Sequence, residues 1–222
     1  MTAEHHVAVT RTARYVTVGE PGPAISDVWF ALHGYGQLAP SFARHCQPLA
    51  APHRLVVVPE GLSRFYLGDH TRPAGPDAKI GASWMTREDR LSEITDYVRY
   101  LDQLHATIFS RLPGTGVRVT VLGFSQGAPT ATRWLTRGDA VADRLILWGA
   151  PMPADLDPAL DGARLRRSEV VLVAGDRDDY ITPKVIAAEE TRLATMNVRF
   201  RTLRYPGGHA IDPGTLQELA KG

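Results

Sequence analysis

Short apolar runs of strand length alternate with predicted helices along most of the chain. Two of these runs, at 28–32 and 55–58, contain no polar residue, which is typical of a strand covered on both faces. Further strands are predicted at 7–9, 15–18, 117–122, 144–148, 170–174 and 198–205. Helices are predicted at about 41–50, 87–110, 126–136, 183–196 and 213–220. This order predicts an α/β fold, a mostly parallel central sheet with helices on both faces.

The composition indicates one globular domain, which we expect to span residues 1–222. Apolar residues make up 44% and charged residues 22% of the chain, close to the average for globular proteins. The formal net charge of +1 gives no electrostatic reason to expect a nucleic-acid partner. The single cysteine, Cys46, excludes an intrachain disulfide and a cysteine-based zinc site. We expect a cytoplasmic protein without stable membrane association, because neither a signal peptide nor a membrane-spanning run is apparent; a homodimer is left open.

A long stretch at 59–83 is rich in glycine and proline and has no clear periodicity. It is expected to be irregular, and long irregular segments within compact domains are often functional. Its aromatic and apolar side chains are candidates for the wall of a substrate pocket. These candidates, together with the residues that directly follow, are Phe65, Tyr66, Trp84 and Met85.

The strongest local signal is the pentapeptide Gly-Phe-Ser-Gln-Gly at 123–127. It lies between a predicted strand and a predicted helix, which is the context of a nucleophile elbow. The two glycines permit a sharp turn that lifts the Ser125 hydroxyl above the carboxyl end of the sheet. The amides at the start of the helix would favour negative charge developing beside that hydroxyl.

A serine nucleophile needs a base and a carboxylate that orients the base. His209 is the candidate base, because it lies in a glycine-containing loop between the last predicted strand and the last helix. Three aspartates, Asp176, Asp178 and Asp179, follow the strand at 170–174, and their spacing alone does not choose among them. The chain order of serine, acid and histidine is the one expected for strand–serine–helix enzymes.

Two backbone amides are required to stabilise an oxyanion. The amide of Gln126 follows the nucleophile directly, and the second donor is expected in the loop after an earlier strand. The glycine-rich corner at 32–36 makes the Tyr35 amide the candidate. His33 in the same corner is expected to make structural hydrogen bonds rather than to transfer protons.

These motifs together resemble the α/β-hydrolases of the carboxylesterase, phospholipase and acyl-protein thioesterase group. The matching segments are Leu-His-Gly-Tyr-Gly at 32–36, Gly-Phe-Ser-Gln-Gly at 123–127, Gly-Asp-Arg-Asp at 175–178 and Gly-His at 208–209. The resemblance implies that Asp178 is the acid, that no cofactor is used and that no large lid domain is present. It also implies hydrolysis of a small-molecule ester or thioester through an acyl-enzyme.

Departures from the thioesterase pattern at Tyr35, at Pro129 and in the 60–90 region favour a general carboxylesterase. We therefore predict a serine carboxylesterase for short- to medium-chain esters. The alternatives are a thioesterase, a lysophospholipase or an acyltransferase on the same triad, and a ligand-binding homologue that hardly turns over. No metal site is expected from the sequence.

Overall fold

The computed structural model describes residues 1–68, 75–112 and 115–221. Its strands are β1 (Tyr15–Val18), β2 (Asp27–Leu32), β3 (Arg54–Pro59), β4 (Ser63–Tyr66), β5 (Ile80–Ser83), β6 (Arg118–Phe124), β7 (Arg144–Trp148), β8 (Glu169–Gly175) and β9 (Phe200–Tyr205). Its helices are α1 (Ala39–His45), α2 (Arg90–Phe109), α3 (Gly127–Arg137), α4 (Leu160–Leu165), α5 (Pro183–Thr195) and α6 (Pro213–Lys221).

Seven strands form the central sheet in the order β1-β3-β2-β6-β7-β8-β9. Strand β1 is antiparallel to β3, and the other neighbours pair in parallel. All six residues of β2 are buried, and alternate side chains enter opposite cores. Phe30 belongs to the core beneath helices α2 to α5, whereas Trp29 belongs to the core beneath α1 and α6. The continuous apolar runs therefore reflect two helical layers, as predicted.

Three expectations for the elements need correction. The stretch at 59–83 contains a hairpin, because β4 and β5 pair antiparallel in a separate two-stranded sheet. Residues 7–9 form no strand, and their apolar side chains Val7 and Val9 are exposed. Helix α1 ends at His45 rather than near residue 50, and a short 3₁₀ turn at Gln47–Leu49 follows it.

The described residues show no separate lid domain, and none of their helices is long and apolar enough to cross a membrane. Within the same ranges, no group of three or more histidine, cysteine, aspartate or glutamate side chains is placed to hold a metal ion.

A buried ion pair joins the starts of the two neighbouring strands β2 and β3. Nε of Arg54 donates to Oδ2 of Asp27, and both side chains are largely buried. The same guanidinium donates to the Leu49 carbonyl at 3.0 Å and to the Ala220 carbonyl at 2.7 Å. One side chain thus ties the amino ends of two strands to the last helix.

Replacing Asp27 by alanine should lower the free energy of unfolding by about 3 kcal/mol, because the Arg54 guanidinium would stay buried without its counter-charge. Glu169→Ala is the matched control. Glu169 pairs with Arg201 near the same edge of the sheet, but both side chains are partly exposed, so its loss should cost less than about 1 kcal/mol. Urea unfolding curves measure both values, and equal losses would contradict the role of burial.

Candidate active site

Ser125 occupies a tight turn between β6 and α3. Its φ is +52°, in the left-handed region that side chains other than glycine rarely adopt. Its amide donates to the Trp148 carbonyl at 2.8 Å, which fixes the turn to the neighbouring strand. A Cβ on Gly123 would lie 2.2 Å from the Gly127 carbonyl oxygen, and a Cβ on Gly127 would lie 2.2 Å from the Leu32 carbonyl oxygen. Both positions therefore require glycine.

The structure brings Ser125, His209 and Asp178 into one hydrogen-bonded chain. The Ser125 hydroxyl lies 2.9 Å from Nε2 of His209, and Nδ1 of His209 lies 2.8 Å from Oδ2 of Asp178. Asp178 is buried, whereas Asp176 and Asp179 are exposed. This geometry suits Nδ1–H donating to the carboxylate, so that Nε2 is free to accept the serine proton.

The Asp178 carboxylate is itself oriented by its surroundings. Its Oδ1 accepts hydrogen bonds from the amides of Tyr180 at 2.9 Å and Ile181 at 3.3 Å. The His209 ring packs near two aromatic rings, with centroid distances of 5.0 Å to Phe124 and 4.7 Å to Tyr180. These contacts hold both the acid and the imidazole in place.

The two expected oxyanion donors border the nucleophile. A Cβ on Gly34 would lie 3.2 Å from Cβ of Ser125, so the loop that carries Tyr35 passes directly beside the serine. Among the described residues, the amides of Tyr35 and Gln126 have no acceptor. Two unpaired amides beside the Ser125 hydroxyl are suited to binding a negatively charged oxygen.

Side-chain contacts fix the Gln126 residue as well. Its Nε2 donates to the Met85 carbonyl at 2.8 Å, and its Oε1 accepts from the Trp84 amide at 3.1 Å. The side chain therefore links the elbow to the segment that follows β5, and so limits the movement of the Gln126 amide.

His33 is buried and orients the Tyr35 amide indirectly. Nδ1–H donates to the Gly34 carbonyl at 2.8 Å, and Nε2 accepts from the Gly61 amide at 2.9 Å. Burial lowers the pKa of His33, which favours this neutral form. A trans peptide places its C=O and N–H on opposite sides, so holding the Gly34 oxygen also directs the Tyr35 N–H. The sequence predicts structural hydrogen bonds for His33, but it does not predict that they orient the Tyr35 amide.

The buried carboxylate of Glu60 lies next in sequence to Gly61, the partner of His33, and joins this segment to three others. The Glu60 side chain accepts hydrogen bonds from Arg14 and Arg64 at 2.6 Å and from the Ala39 amide at 2.9 Å. Burial opposes ionisation of Glu60, but these hydrogen bonds outweigh it and hold the pKa of its carboxyl below the ordinary value. Through these bonds, Glu60 joins the N-terminal segment, the start of α1 and the hairpin.

A cleft of about 360 Å³ opens beside Ser125. This volume is near the lower end of the range of small-molecule sites. Its walls come mainly from the elbow, from the loop after β7 and from the loop that carries the acid. The lining residues are Ser125, Gln126, Pro129, Gly149, Ala150, Pro151, Met152, Pro153 and Tyr180.

The four residues predicted to line the pocket lie elsewhere. Trp84 is a core residue, 2% exposed, and its Nε1 donates to the His33 carbonyl at 2.8 Å. Met85 is half-buried and packs against the same core. Phe65 packs on the Tyr35 ring at a centroid distance of 5.0 Å, and Tyr66 is exposed on the hairpin. Sequence reasoning missed the segment at 149–153, although its place directly after a buried strand was a usable signal.

No family model and no curated protein matches the chain. Several solved structures match the chain in fold. Esterase PE8 superposes with a TM-score of 0.68 at 21% identity, covering 95% of this chain and 97% of that one. Acyl-protein thioesterase 2 of Zea mays gives 0.64 at 18%, covering 95% and 97%. A phospholipase/carboxylesterase of Dyadobacter fermentans gives 0.64 at 17%, covering 97% and 98%. These similarities confirm the expected α/β-hydrolase fold.

Glu60→Gln tests the support behind the oxyanion loop. Because the folded state lowers the pKa of this carboxyl, its stabilising effect is present above the ordinary glutamate pKa of about 4.3 and is lost as the pH falls through the folded-state value. At neutral pH the variant should lose about 2 kcal/mol, less than for a fully buried pair because both arginines are partly exposed.

The deficit of Glu60→Gln relative to the wild type should shrink on acidification. Urea unfolding between pH of about 7 and about 3 measures it. Glu88→Gln, at an exposed position, serves as the control and should show no comparable pH-dependent difference. A deficit that stays constant across this range would show that the charge of Glu60 is not what stabilises the loop.

Proposed function

We propose that this chain is a serine carboxylesterase that acts on small-molecule esters with short- to medium-length acyl groups. The observation that carries the proposal is the continuous hydrogen-bonded chain from Ser125 through His209 to Asp178 at the mouth of a cleft. The α/β-hydrolase fold supports it, and so do the printed names of the similar structures, which include an esterase and a phospholipase/carboxylesterase. A cytoplasmic location and the absence of any cofactor are parts of the same proposal.

The reaction begins when the Ser125 oxygen attacks the ester carbonyl carbon and Nε2 of His209 takes the serine proton. Negative charge then develops on the former carbonyl oxygen. The amides of Tyr35 and Gln126 donate to this oxygen, and one such donor is typically worth about 3 kcal/mol. Asp178 stabilises the imidazolium and keeps the ring oriented.

The imidazolium of His209 next donates its proton to the leaving alcohol, and the acyl group remains on Ser125 as an ester. A water molecule then attacks the acyl carbon while Nε2 accepts one of its protons. Collapse of the second tetrahedral species releases the carboxylic acid and returns the proton to the serine oxygen. The bond between the Ser125 oxygen and the acyl carbon forms in the first half and breaks in the second, and Ser125 recovers its proton, so the enzyme is regenerated.

The cleft supports the choice of acyl length. Its volume is near the lower end for small-molecule sites, and Pro129, Pro151 and Met152 give it an apolar wall. A short or medium acyl chain can bury its apolar surface there. A thioester would use the same triad, and the thioesterase of Zea mays among the similar structures makes thioester hydrolysis the second candidate.

Ser125→Ala should lower kcat on p-nitrophenyl esters by at least about 10⁴-fold, because no nucleophile would remain to form the acyl-enzyme. The assay compares acyl lengths from acetate to palmitate, with matched thioesters in parallel. Intact-mass analysis after treatment with a fluorophosphonate should show one adduct on the wild type and none on the variant. Ser110→Ala, at an exposed helix end, is the control and should keep both activity and labelling.

Each contrary result has a distinct meaning. Ester hydrolysis that survives Ser125→Ala would rule out the assigned nucleophile. Labelling of Ser125 without turnover of any ester would keep the nucleophile and reject the substrate class. Neither labelling nor turnover by the wild type would favour the ligand-binding alternative.

A further inference from the structure

The segment at 149–153 forms one complete wall of the cleft, since all five of its residues line it. It begins at the triad itself. Gly149 has a φ of +69°, and a Cβ there would lie 3.0 Å from Cε1 of His209. The Gly149 amide donates to the Val173 carbonyl at 2.9 Å, so the start of the wall is fixed to β8.

The wall has few backbone N–H groups with which to form hydrogen bonds. Pro151 and Pro153 carry no amide hydrogen, so Met152 supplies the one backbone N–H between them. Met152 lines the cleft, yet it is only 3% exposed, and its side chain joins the core beneath α5. An N–H at such a position must find a partner or remain unpaired in a buried site.

The partner is a carboxylate on α5. The Met152 amide donates to Oε2 of Glu189 at 3.0 Å, and the Glu189 side chain is itself 9% exposed. Arg192, one turn further along the helix, donates to the Pro153 carbonyl at 2.7 Å and to the Met152 carbonyl at 3.5 Å. Helix α5 therefore supplies an acceptor for the single N–H and donors for two carbonyls of the wall.

The far end of the wall is held independently. Asp155 accepts from Arg133 at 2.7 Å and from Arg137 at 2.8 Å, both on α3, and from Arg90 at 3.0 Å at the start of α2. The two ends are thus fixed by β8 and by this arginine cluster. Among the residues that the structure describes, the hydrogen bonds to the middle of the wall, at Met152 and Pro153, all come from α5, and the Met152 side chain packs in the core.

We propose that Glu189 is a positioning residue that fixes the Met152 wall and thereby sets the acyl-length selectivity of the enzyme. The claim rests on the proposed ester hydrolysis. Glu189 is not among the residues that line the cleft, and its polar partners are Met152 and Arg192 rather than any member of the triad. An acyl chain long enough to reach Met152 binds a preformed surface, whereas an acetyl group ends before it. A wall that is already ordered loses less conformational entropy when the acyl chain binds than a mobile wall would lose.

Glu189→Ala should lower kcat/KM for the best medium-chain p-nitrophenyl ester by about tenfold, mostly through KM, with less than about threefold change for the acetate. Glu189→Gln should restore most of the selectivity, because an amide oxygen can still accept from Met152. Glu190→Ala is the matched control. It removes the neighbouring carboxylate, which accepts from the Thr202 hydroxyl instead, and should leave the profile unchanged.

Amide hydrogen exchange tests the positioning role without reference to activity. In a peptide covering 149–154, the Met152 amide should exchange faster in Glu189→Ala than in the wild type, by at least tenfold, and Glu189→Gln should retain protection. Unchanged protection in Glu189→Ala would overturn the proposal. So would an equal loss of kcat/KM on acetate and medium-chain esters, which indicates a general structural defect.

The two proposals fail in distinguishable ways. A wild type that hydrolyses no ester and is not labelled at Ser125 would refute the proposed function, and the selectivity claim would fall with it. A wild type that hydrolyses esters with the same length profile as Glu189→Ala would refute the role of Glu189 alone. The triad and the reaction would then stand.

Discussion

The site depends on a backbone contact that only glycine permits. At Gly127 the first turn of α3 lies against the Leu32 carbonyl at the end of β2, and at Gly123 the last residues of β6 lie against the Gly127 carbonyl. A side chain at either position would force the strand, the helix and the neighbouring loop apart. Because these three elements meet at backbone distance, Ser125 is held in its left-handed conformation, and the Tyr35 amide borders it. Strain at one residue is thus maintained by the packing of three elements.

The supports behind the site are mostly polar and buried, and they act on peptide groups rather than on the triad itself. The ring of His33 holds a carbonyl, Glu60 holds an amide at the start of α1, and Gln126 holds the segment after β5. A buried polar network of this kind is costly unless each member is paired, but once paired it specifies one arrangement. Oxyanion donors are useful only when they are already aimed at the developing charge, so such rigidity is what the proposed reaction requires.

The sequence was sufficient to predict the layered α/β fold because both faces of the central strands are covered, and continuous apolar runs record that fact. It also indicated the elbow, since two glycines flank a serine between a strand and a helix.

The sequence did not indicate the wall of the cleft. Which loop faces Ser125 depends on the order of the strands in the sheet. No single segment of the sequence shows that β7 lies beside β6. The aromatic ring of Trp84 makes it a candidate pocket residue from the sequence. In the structure its indole N–H donates to the buried carbonyl of His33, and the ring is buried with that carbonyl. The hairpin within 59–83 was missed because its two strands have only four residues each and lack a strong period.

Two kinds of support therefore surround one nucleophile, and they differ in what they can change. The proposed oxyanion donors are backbone amides that every ester substrate would use, so the proposal implies that altering them would affect all substrates alike. The wall at 149–153 lines the cleft beside Ser125, and in the proposed enzyme it would contact the acyl chain of the substrate. Its two prolines give up amide hydrogens and so leave its middle dependent on a side chain of α5. If the proposed role of Glu189 holds, changes on that helix would alter which acyl groups fit without moving the triad, because the start of the wall is bonded to β8 and Asp155, which follows the wall, is paired with Arg133. In the proposed enzyme, acyl-length selectivity and reaction geometry therefore depend on different supports, although they share one cleft.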